Sequence, residues 1–308
     1  MRSLLRMPAL PAFLLVSACA AGPGVVAAPA PAPVQAVAVT GPAMAAPEAA
    51  LPVQFLRGEF RQGELIVGRV PPGSRVKLGD RALRVAGDGT FVFGLDRDAD
   101  PEIAIDVVLP DGKPWRETRP VAARQYNIQR VTGIAERIMN PSADDQKRID
   151  EENAQVGRAR HRDDDRLDFL QAFIWPAAGP VTGVFGSQRY YNGVPKRPHF
   201  GVDVGVPVGT PVVAPAPGVV TLAHPDMFYS GGTLIIDHGY GVSSTLMHLS
   251  EVLVKTGDVV ARGQLVAKSG ASGRASGPHL DWRMNWFGVR IDAQRLVPPM
   301  PSGDAAAP

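Results

Sequence analysis

Apolar and polar positions alternate in short runs from Leu65 onward: Leu65 and Val67, Val76 and Leu78, and Leu83 and Val85 each skip one residue. A period of two marks strands with one buried face. Pro71-Pro72-Gly73, Gly79-Asp80 and Asp88-Gly89 fall between the runs and supply turn residues. Phe91-Val92-Phe93 and residues 103–109 continue the series, and Asp111-Gly112 closes a further hairpin. Strands this short and this regularly spaced predict a small β-sandwich over residues 51–130.

The pattern changes at residues 142–168, where 6 basic and 9 acidic side chains stand among 27. Ile149, Val156 and Ala159 make a thin apolar stripe, and Ser142 followed by Asp145 supplies an N-cap with an acid three residues on. These predict a charged, solvated helical connector within residues 131–173, with His161 a surface side chain and Asp163-Asp164-Asp165 a hydrated run. After Trp175-Pro176 strand-like apolar segments return, among them Gly218-Val219-Val220 and Thr233-Leu234-Ile235-Ile236. The chain is therefore expected to be mainly β: a sandwich similar to immunoglobulin-like modules of bacterial envelope proteins, a short helical connector, and a β-rich C-terminal domain. The first module holds no cluster of catalytic side chains, so a spacer or binding role is expected for it.

Composition sharpens this outline. The 33 Gly and 30 Pro among 308 residues are about a fifth of the chain, against a usual share of roughly 12%, which argues against a helical bundle. The length suits about two domains. A net charge of only +2 provides no footprint for nucleic acid. One Cys allows neither an internal disulfide nor a CxxC-type site. No GxSxG elbow or GxxxxGK loop is present, so serine-hydrolase and nucleotide chemistry have no support.

Residues 1–19 read as an export signal: Arg2 and Arg6 precede an apolar run over residues 7–18 that is too short to span a bilayer. Val16-Ser17-Ala18-Cys19 resembles the lipobox of bacterial lipoproteins, which implies lipidation and membrane anchoring through Cys19. Ordinary cleavage at Ala18-Cys19-Ala20 also fits; the otherwise unpaired thiol favours lipidation. Both routes take the chain to the periplasm or outer membrane. Residues 20–50 contain 13 Ala and 6 Pro with Glu48 as the only charge, a composition for an extended tether rather than a core. Residues 298–308 are expected to be a disordered tail.

Candidate chemistry lies in the last third. His199-Phe200-Gly201-Val202-Asp203, Met247-His248-Leu249 and Pro278-His279-Leu280-Asp281 bring three His near two Asp. Gly201 and the β-branched Val202 make a helix poor here, and on a strand positions i and i+4, or i and i+2, share a face. Imidazole and carboxylate are the ligands of a catalytic zinc when Cys is absent. Spacing alone also suits hydrogen-bonded structural histidines.

Residues 174–297 resemble the lysostaphin-type (LytM-like) zinc metallopeptidases that cut peptidoglycan peptides. The motifs are Trp175-Pro176 through Gly183-Val184-Phe185-Gly186, the HxGxD run at His199–Asp203, Gly209-Thr210-Pro211-Val212, His248-Leu249-Ser250, Gly257-Asp258 with Gly263-Gln264, and Ser276-Gly277-Pro278-His279-Leu280. The resemblance implies zinc (Zn2+) as cofactor, held by His199, Asp203 and residue 281, with His248 and His279 as catalytic groups flanking the attacking water and the scissile carbonyl. It implies peptidoglycan as the substrate, and places His238 near the catalytic strands, as a supporting or purely structural side chain. The sequence departs from the family at one ligand: Asp281 stands where the family has the last His of an HxH pair. Two carboxylates and one imidazole would leave zinc formally neutral, a weaker Lewis acid, and this implies activity retained but shifted to alkaline pH. The alternative is a degenerate member of the fold that binds and activates a cell-wall amidase. The connector at 142–168 lies just before this domain and is a candidate to occlude the site.

Overall fold

The computed structural model describes residues 51–132 and 140–301. The signal and tether expectations at residues 1–50, Cys19 included, and the tail from residue 302 lie outside the described residues. Seven strands come first: β1 (Gln54–Arg57), β2 (Leu65–Arg69), β3 (Arg75–Leu78), β4 (Arg81–Leu83), β5 (Thr90–Gly94), β6 (Glu102–Val108) and β7 (Pro114–Pro120). They form two antiparallel sheets, ordered β1-β2-β5 and β4-β3-β6-β7. The alternation in the sequence explains the faces: Val67, Phe91, Phe93, Val76, Ile105 and Val107 all turn inward and are buried. Gly79 and Gly112 take left-handed backbone angles of 55° and 85° in the β3–β4 and β6–β7 turns, where a side chain would be strained. The fourth strand pairs with the third, whereas a constant-type immunoglobulin sheet places it with the first, second and fifth.

β8 (Ile128–Val131) leads to the helix α1 (Ala143–Arg160). The helix starts at a reciprocal cap: Asp145 N donates to Ser142 Oγ (3.1 Å) and Ser142 N donates to Asp145 Oδ2 (3.3 Å). It is less solvated than its charge suggests. Ala159 and Val156 pack on Leu222, Met227 and Ile235, and the buried Glu152 carboxylate accepts from Phe228 N (2.8 Å) and Arg148 Nε (2.7 Å). The Asp run beyond the helix is tied down, with Asp163 paired to Arg84 and Asp165 accepting from the Tyr240 hydroxyl.

The remaining strands are β9 (Val181–Gly183), β10 (Gln188–Tyr191), β11 (Val194–Pro195), β12 (Val202–Val204), β13 (Pro211–Val213), β14 (Gly218–Met227), β15 (Gly231–Asp237), β16 (Val242–Val252), β17 (Val259–Val260), β18 (Leu265–Ser269), β19 (Leu280–Trp286) and β20 (Val289–Ile291). A large antiparallel sheet runs β17-β14-β15-β16-β19-β12-β9, with β18 joining β13 to the far end of β16 and β20 on β19. One face is apolar, built from Val202, Val204, Leu246, Leu280, Trp282 and Met284, all fully buried. The other carries the polar residues between them. A small separate sheet, β11-β10-β8, includes the parallel pair β8–β10. Among the described residues no helix is long and apolar enough to cross a membrane.

The two β regions meet at β5. A methyl on Gly94 would lie 2.6 Å from Ile291 Cδ1 and 3.1 Å from Trp286 Cβ, closer than side chains pack. Gly94→Ala is therefore expected to destabilise the protein by about 1–3 kcal/mol, measured by urea denaturation, with little change expected from Gly87→Ala, at a position that meets nothing within 4 Å.

Candidate metal and catalytic site

Strand register builds the site. Val202, Asp203 and Val204 on β12 stand directly opposite Trp282, Asp281 and Leu280 on β19. Because Val202, Val204, Leu280 and Trp282 fill the core, period-two geometry sends Asp203 and Asp281 together to the other face. His199, just before β12, completes the group: it, Asp203 and Asp281 each offer a donor atom, all within 4.8 Å of one another. Two glycines make the room. A methyl on Gly201 would lie 2.1 Å from Asp281 Oδ1, and one on Gly183 would lie 2.2 Å from Asp203 Oδ2.

Both carboxylates are buried and each meets an arginine. Arg189 Nη2 donates to Asp203 Oδ2 (2.8 Å). Arg283 grips Asp281 bidentately, with Nη2 to Oδ2 at 2.6 Å and Nε to Oδ1 at 3.1 Å. Burial alone would raise the Asp281 pKa; the charge and hydrogen bonds of Arg283, with His199 and His248, together outweigh it and hold the carboxyl well below the usual range. Burial and Asp281 likewise push Asp203 up, while His199 and Arg189 bring it net below its ordinary value. His199 Nε2 lies 3.0 Å from Asp203 Oδ1, yet the two are not aligned as a hydrogen bond. Both ring nitrogens of His199 and Asp203 Oδ1 are buried without a hydrogen-bond partner. The unbonded imidazole and Asp203 oxygen, with the Arg283-bound Asp281 carboxylate beside them, form a donor set of one imidazole and two carboxylates that fits a zinc ion.

His248 and His279 stand beside this group, their rings 4.7 Å apart. Each ring is oriented through Nδ1, that of His248 against Ser272 O (2.8 Å) and that of His279 against Gly277 O (2.8 Å). A carbonyl only accepts, so each Nδ1 carries a hydrogen, and in the neutral ring Nε2 keeps the lone pair. His279 Nε2 is 3.9 Å from Asp203 Oδ1. His248 has a left-handed φ of 62° at the point where β16 leaves β19 and begins to pair with β18. Burial, partly countered by Asp281 and reinforced by His279, lowers its pKa to about 4, so it is neutral at pH 7 rather than titrating there.

The cleft around these residues, about 200 Å³, is lined by Asp203, His248 and His279, with Arg189, Tyr191 and Gln129. Gln129 belongs to β8 and accepts from Arg189 Nε (3.0 Å). The cleft wall from upstream of the peptidase-like region is thus β8, while α1 faces a neighbouring cavity through Asn153, Val156 and Arg160. Arg189, Arg283 and Gln129 were invisible to motif reading, though Arg283, two residues after Asp281 on the same strand, shares its face by simple alternation.

The other histidines lie elsewhere. His238 is fully buried on the apolar side, where Nδ1 donates to Pro217 O (2.6 Å), Ser244 Oγ lies 2.7 Å from Nε2, and Phe173 packs edge-on. It is a core residue, not part of the cleft. His224 is in β14, with Nδ1 accepting from Asp226 N. His161 ends α1, exposed. Trp282, Trp286 and Phe287 are core.

A Peptidase family M23 model matches residues 197–293. The Peptidoglycan DD-endopeptidase ShyA of Vibrio cholerae serotype O1 is 33% identical over 191 residues, 59% of this chain and 43% of that protein. ShyB from the same organism, also described as a peptidoglycan DD-endopeptidase, is 37% identical over 105 residues, 33% of this chain and 24% of that protein. The chain thus spans less than half the length of these relatives. A crystal structure of an M23 peptidase from Pseudomonas aeruginosa is 30% identical, aligns with 78% of this chain and 95% of its own, and gives a TM-score of 0.61. The chain belongs to peptidase family M23.

The arginine changes the charge balance inferred for Asp281. With Arg283 bound, the second carboxylate is neutralised locally, so the alkaline shift expected from the extra negative charge is offset. Asp281→Asn is expected to cost about 3–5 kcal/mol in chemical denaturation with chelator present, because it strands a buried guanidinium; Asp281→Asn with Arg283→Gln should recover most of that loss. The pH dependence has a definite sign. Burial chiefly lowers the His238 pKa from 6.5 to about 4, so between these values the unfolded chain takes up a proton that the folded one refuses. Stability should be full above about pH 6.5 and fall towards pH 4, by up to roughly 1.4 kcal/mol per pH unit for this residue. His238→Gln should flatten that part of the profile in denaturation measured from pH 7 to 4.5.

Proposed function

We propose that the chain is a zinc endopeptidase of the bacterial cell envelope that hydrolyses peptide bonds in peptidoglycan stems or crosslinks. The observation that carries this reading is the convergence of His199, Asp203 and Asp281 beside His248 and His279 in one cleft. His199, Asp203 and Asp281 would hold the metal, which when bound supplies a Lewis acid for the peptide carbonyl and acidifies water. His248, neutral at pH 7 and fixed in the tautomer with a free Nε2 by Ser272 O, accepts the proton of the attacking water. His279, oriented the same way by Gly277 O, stabilises charge on the carbonyl oxygen through Nε2–H when its ring is protonated, and the protonated member of the pair returns a proton to the leaving amine. Arg189 and Tyr191, in contact with each other (3.2 Å) on the cleft wall, position the substrate backbone. The names of the curated relatives support peptidoglycan as substrate.

In this reading residues 51–130 act as a spacer or binding module, and the N-terminal signal delivers the chain to the periplasm or outer membrane with Cys19 lipidated. A second reading has one observation in its favour: Arg189 and Arg283 already neutralise both site carboxylates. A protein that keeps the fold without metal and activates a cell-wall amidase would carry such pairs.

Metal analysis of the purified protein, joined to turnover of crosslinked peptidoglycan, separates the two. The endopeptidase reading expects one zinc per chain and a loss of product of at least about a hundredfold in His248→Ala. Metal-free protein that yields no product but stimulates an amidase would establish the second reading.

A further inference from the structure

A second cavity, about 470 Å³, lies next to the cleft, and Arg189, Tyr191 and Arg274 line both. Seven of the side chains around it are Arg or Lys and none is Asp or Glu. Two of the seven, Arg189 and Arg283, are held by the site carboxylates. Among the described residues Arg160, Arg274 and Arg290 form no ion pair with a carboxylate. Arg160 reaches in from the last turn of α1; its Nη2 donates to Thr245 Oγ1 (3.1 Å) and its Nε is buried with no partner. Arg274 lies over the rings of Tyr229 (4.7 Å) and Tyr191 (5.1 Å). Arg290 donates to Asn285 Oδ1 and lies 5.7 Å from the Phe200 ring.

Holding these cations together is unfavourable, because the nearby charges of Asp281 on Arg160 and Asp96 on Arg290 offset their mutual repulsion and burial only in part. Burial first, then Arg290 and Arg283, drives the Arg160 pKa well below its ordinary value. Burial and Arg283 lower Arg290 to about 10, and burial lowers Arg274 as well. An anion placed among them would recover the lost energy, and the planar fork of guanidinium matches the two oxygens of a carboxylate or phosphate. The volume is that of a small-ligand pocket rather than of a single water.

We propose that this cavity is an oxyanion-binding subsite, in which Arg160, Arg274 and Arg290 hold a carboxylate- or phosphate-bearing ligand. The site itself stands on its own geometry; only the choice of a peptide as the source of the carboxylates rests on the peptidase reading. Since Arg189, Tyr191 and Arg274 are walls of cleft and cavity alike, an acidic peptide lying in the cleft would bring its carboxylates to these arginines, and free phosphate offers the same chemistry.

The test is calorimetric titration of full-length His248→Ala protein, which binds without turnover, using inorganic phosphate, a short peptide with two free carboxylates, and the same peptide amidated. Saturable one-to-one binding of phosphate or the acidic peptide is expected, weakened about tenfold or more by Arg274→Gln and by Arg290→Gln and further by salt. Tighter binding of the acidic peptide supports a substrate subsite, and tighter binding of phosphate supports a site for a free oxyanion. Thermal unfolding gives a second readout: Arg160→Met should raise the melting temperature in anion-free buffer and lose the increase that the ligand gives the parent protein. Absence of saturable binding by either anion, equal binding of the amidated peptide with phosphate silent, or affinities unmoved by the Arg274 and Arg290 substitutions would overturn the proposal. Anion binding retained in a protein that neither holds zinc nor turns over peptidoglycan would overturn the peptidase reading alone.

Discussion

The structure turns on two carboxylates that the hydrophobic core forces to face each other. Val202 and Val204 on one strand and Leu280 and Trp282 on its neighbour must all point inward, and the residues between them, Asp203 and Asp281, have only the opposite face left. Like charges across an antiparallel pair repel. With donor atoms no more than 4.8 Å apart and an effective dielectric constant of about 20 the repulsion is on the order of 3.5 kcal/mol or more. A slip of β12 by one residue would relieve it only by turning Val202 and Val204 to the polar face and Asp203 into the core. The repulsion is therefore built in, and the surroundings are arranged to answer it with cations.

That answer draws on distant parts of the chain. Arg283 comes from the same strand as Asp281. Arg189 comes from β10, which is aligned by its parallel pairing with β8 and oriented through Gln129. Ser272 and Gly277, in the loop before β19, orient the two histidines through their carbonyl groups. The glycines at 183 and 201 leave space that any side chain would close. Regions outside the family-matched segment thus shape the polar face: β8 walls the cleft, and α1 contributes Arg160 to the cavity beside it.

Much of this was legible in the sequence where the relevant physics is local. Strand alternation paired His199 with Asp203 and His279 with Asp281, the family resemblance joined them into one ligand set, and turn residues outlined β2 to β6 and the hairpin into β7. The cap at Ser142 and Asp145 was visible because it spans three residues. The arginines were not recognised, for two different reasons. Arg283 lay within reach of the period-two argument but carries no motif. Arg189 and Arg160 acquire their positions only through a parallel strand pair and helix docking, contacts that no window of neighbouring residues encodes. The same limit applies to His238: its place before the catalytic strands says nothing about which side of the sheet it faces, and the core side won through Pro217, Ser244 and Phe173.

The pairing of Asp281 with Arg283 also constrains how this protein can change over generations. A histidine at 281 leaves a buried guanidinium without its carboxylate, and replacing Arg283 first leaves Asp203 and Asp281 facing each other with one cation fewer. Each single step is harmful, although the double change restores a balanced site. The two positions are expected to be inherited together, so that lineages carrying aspartate here also carry arginine two residues later, and the two ligand sets persist as separate alternatives with few intermediates between them.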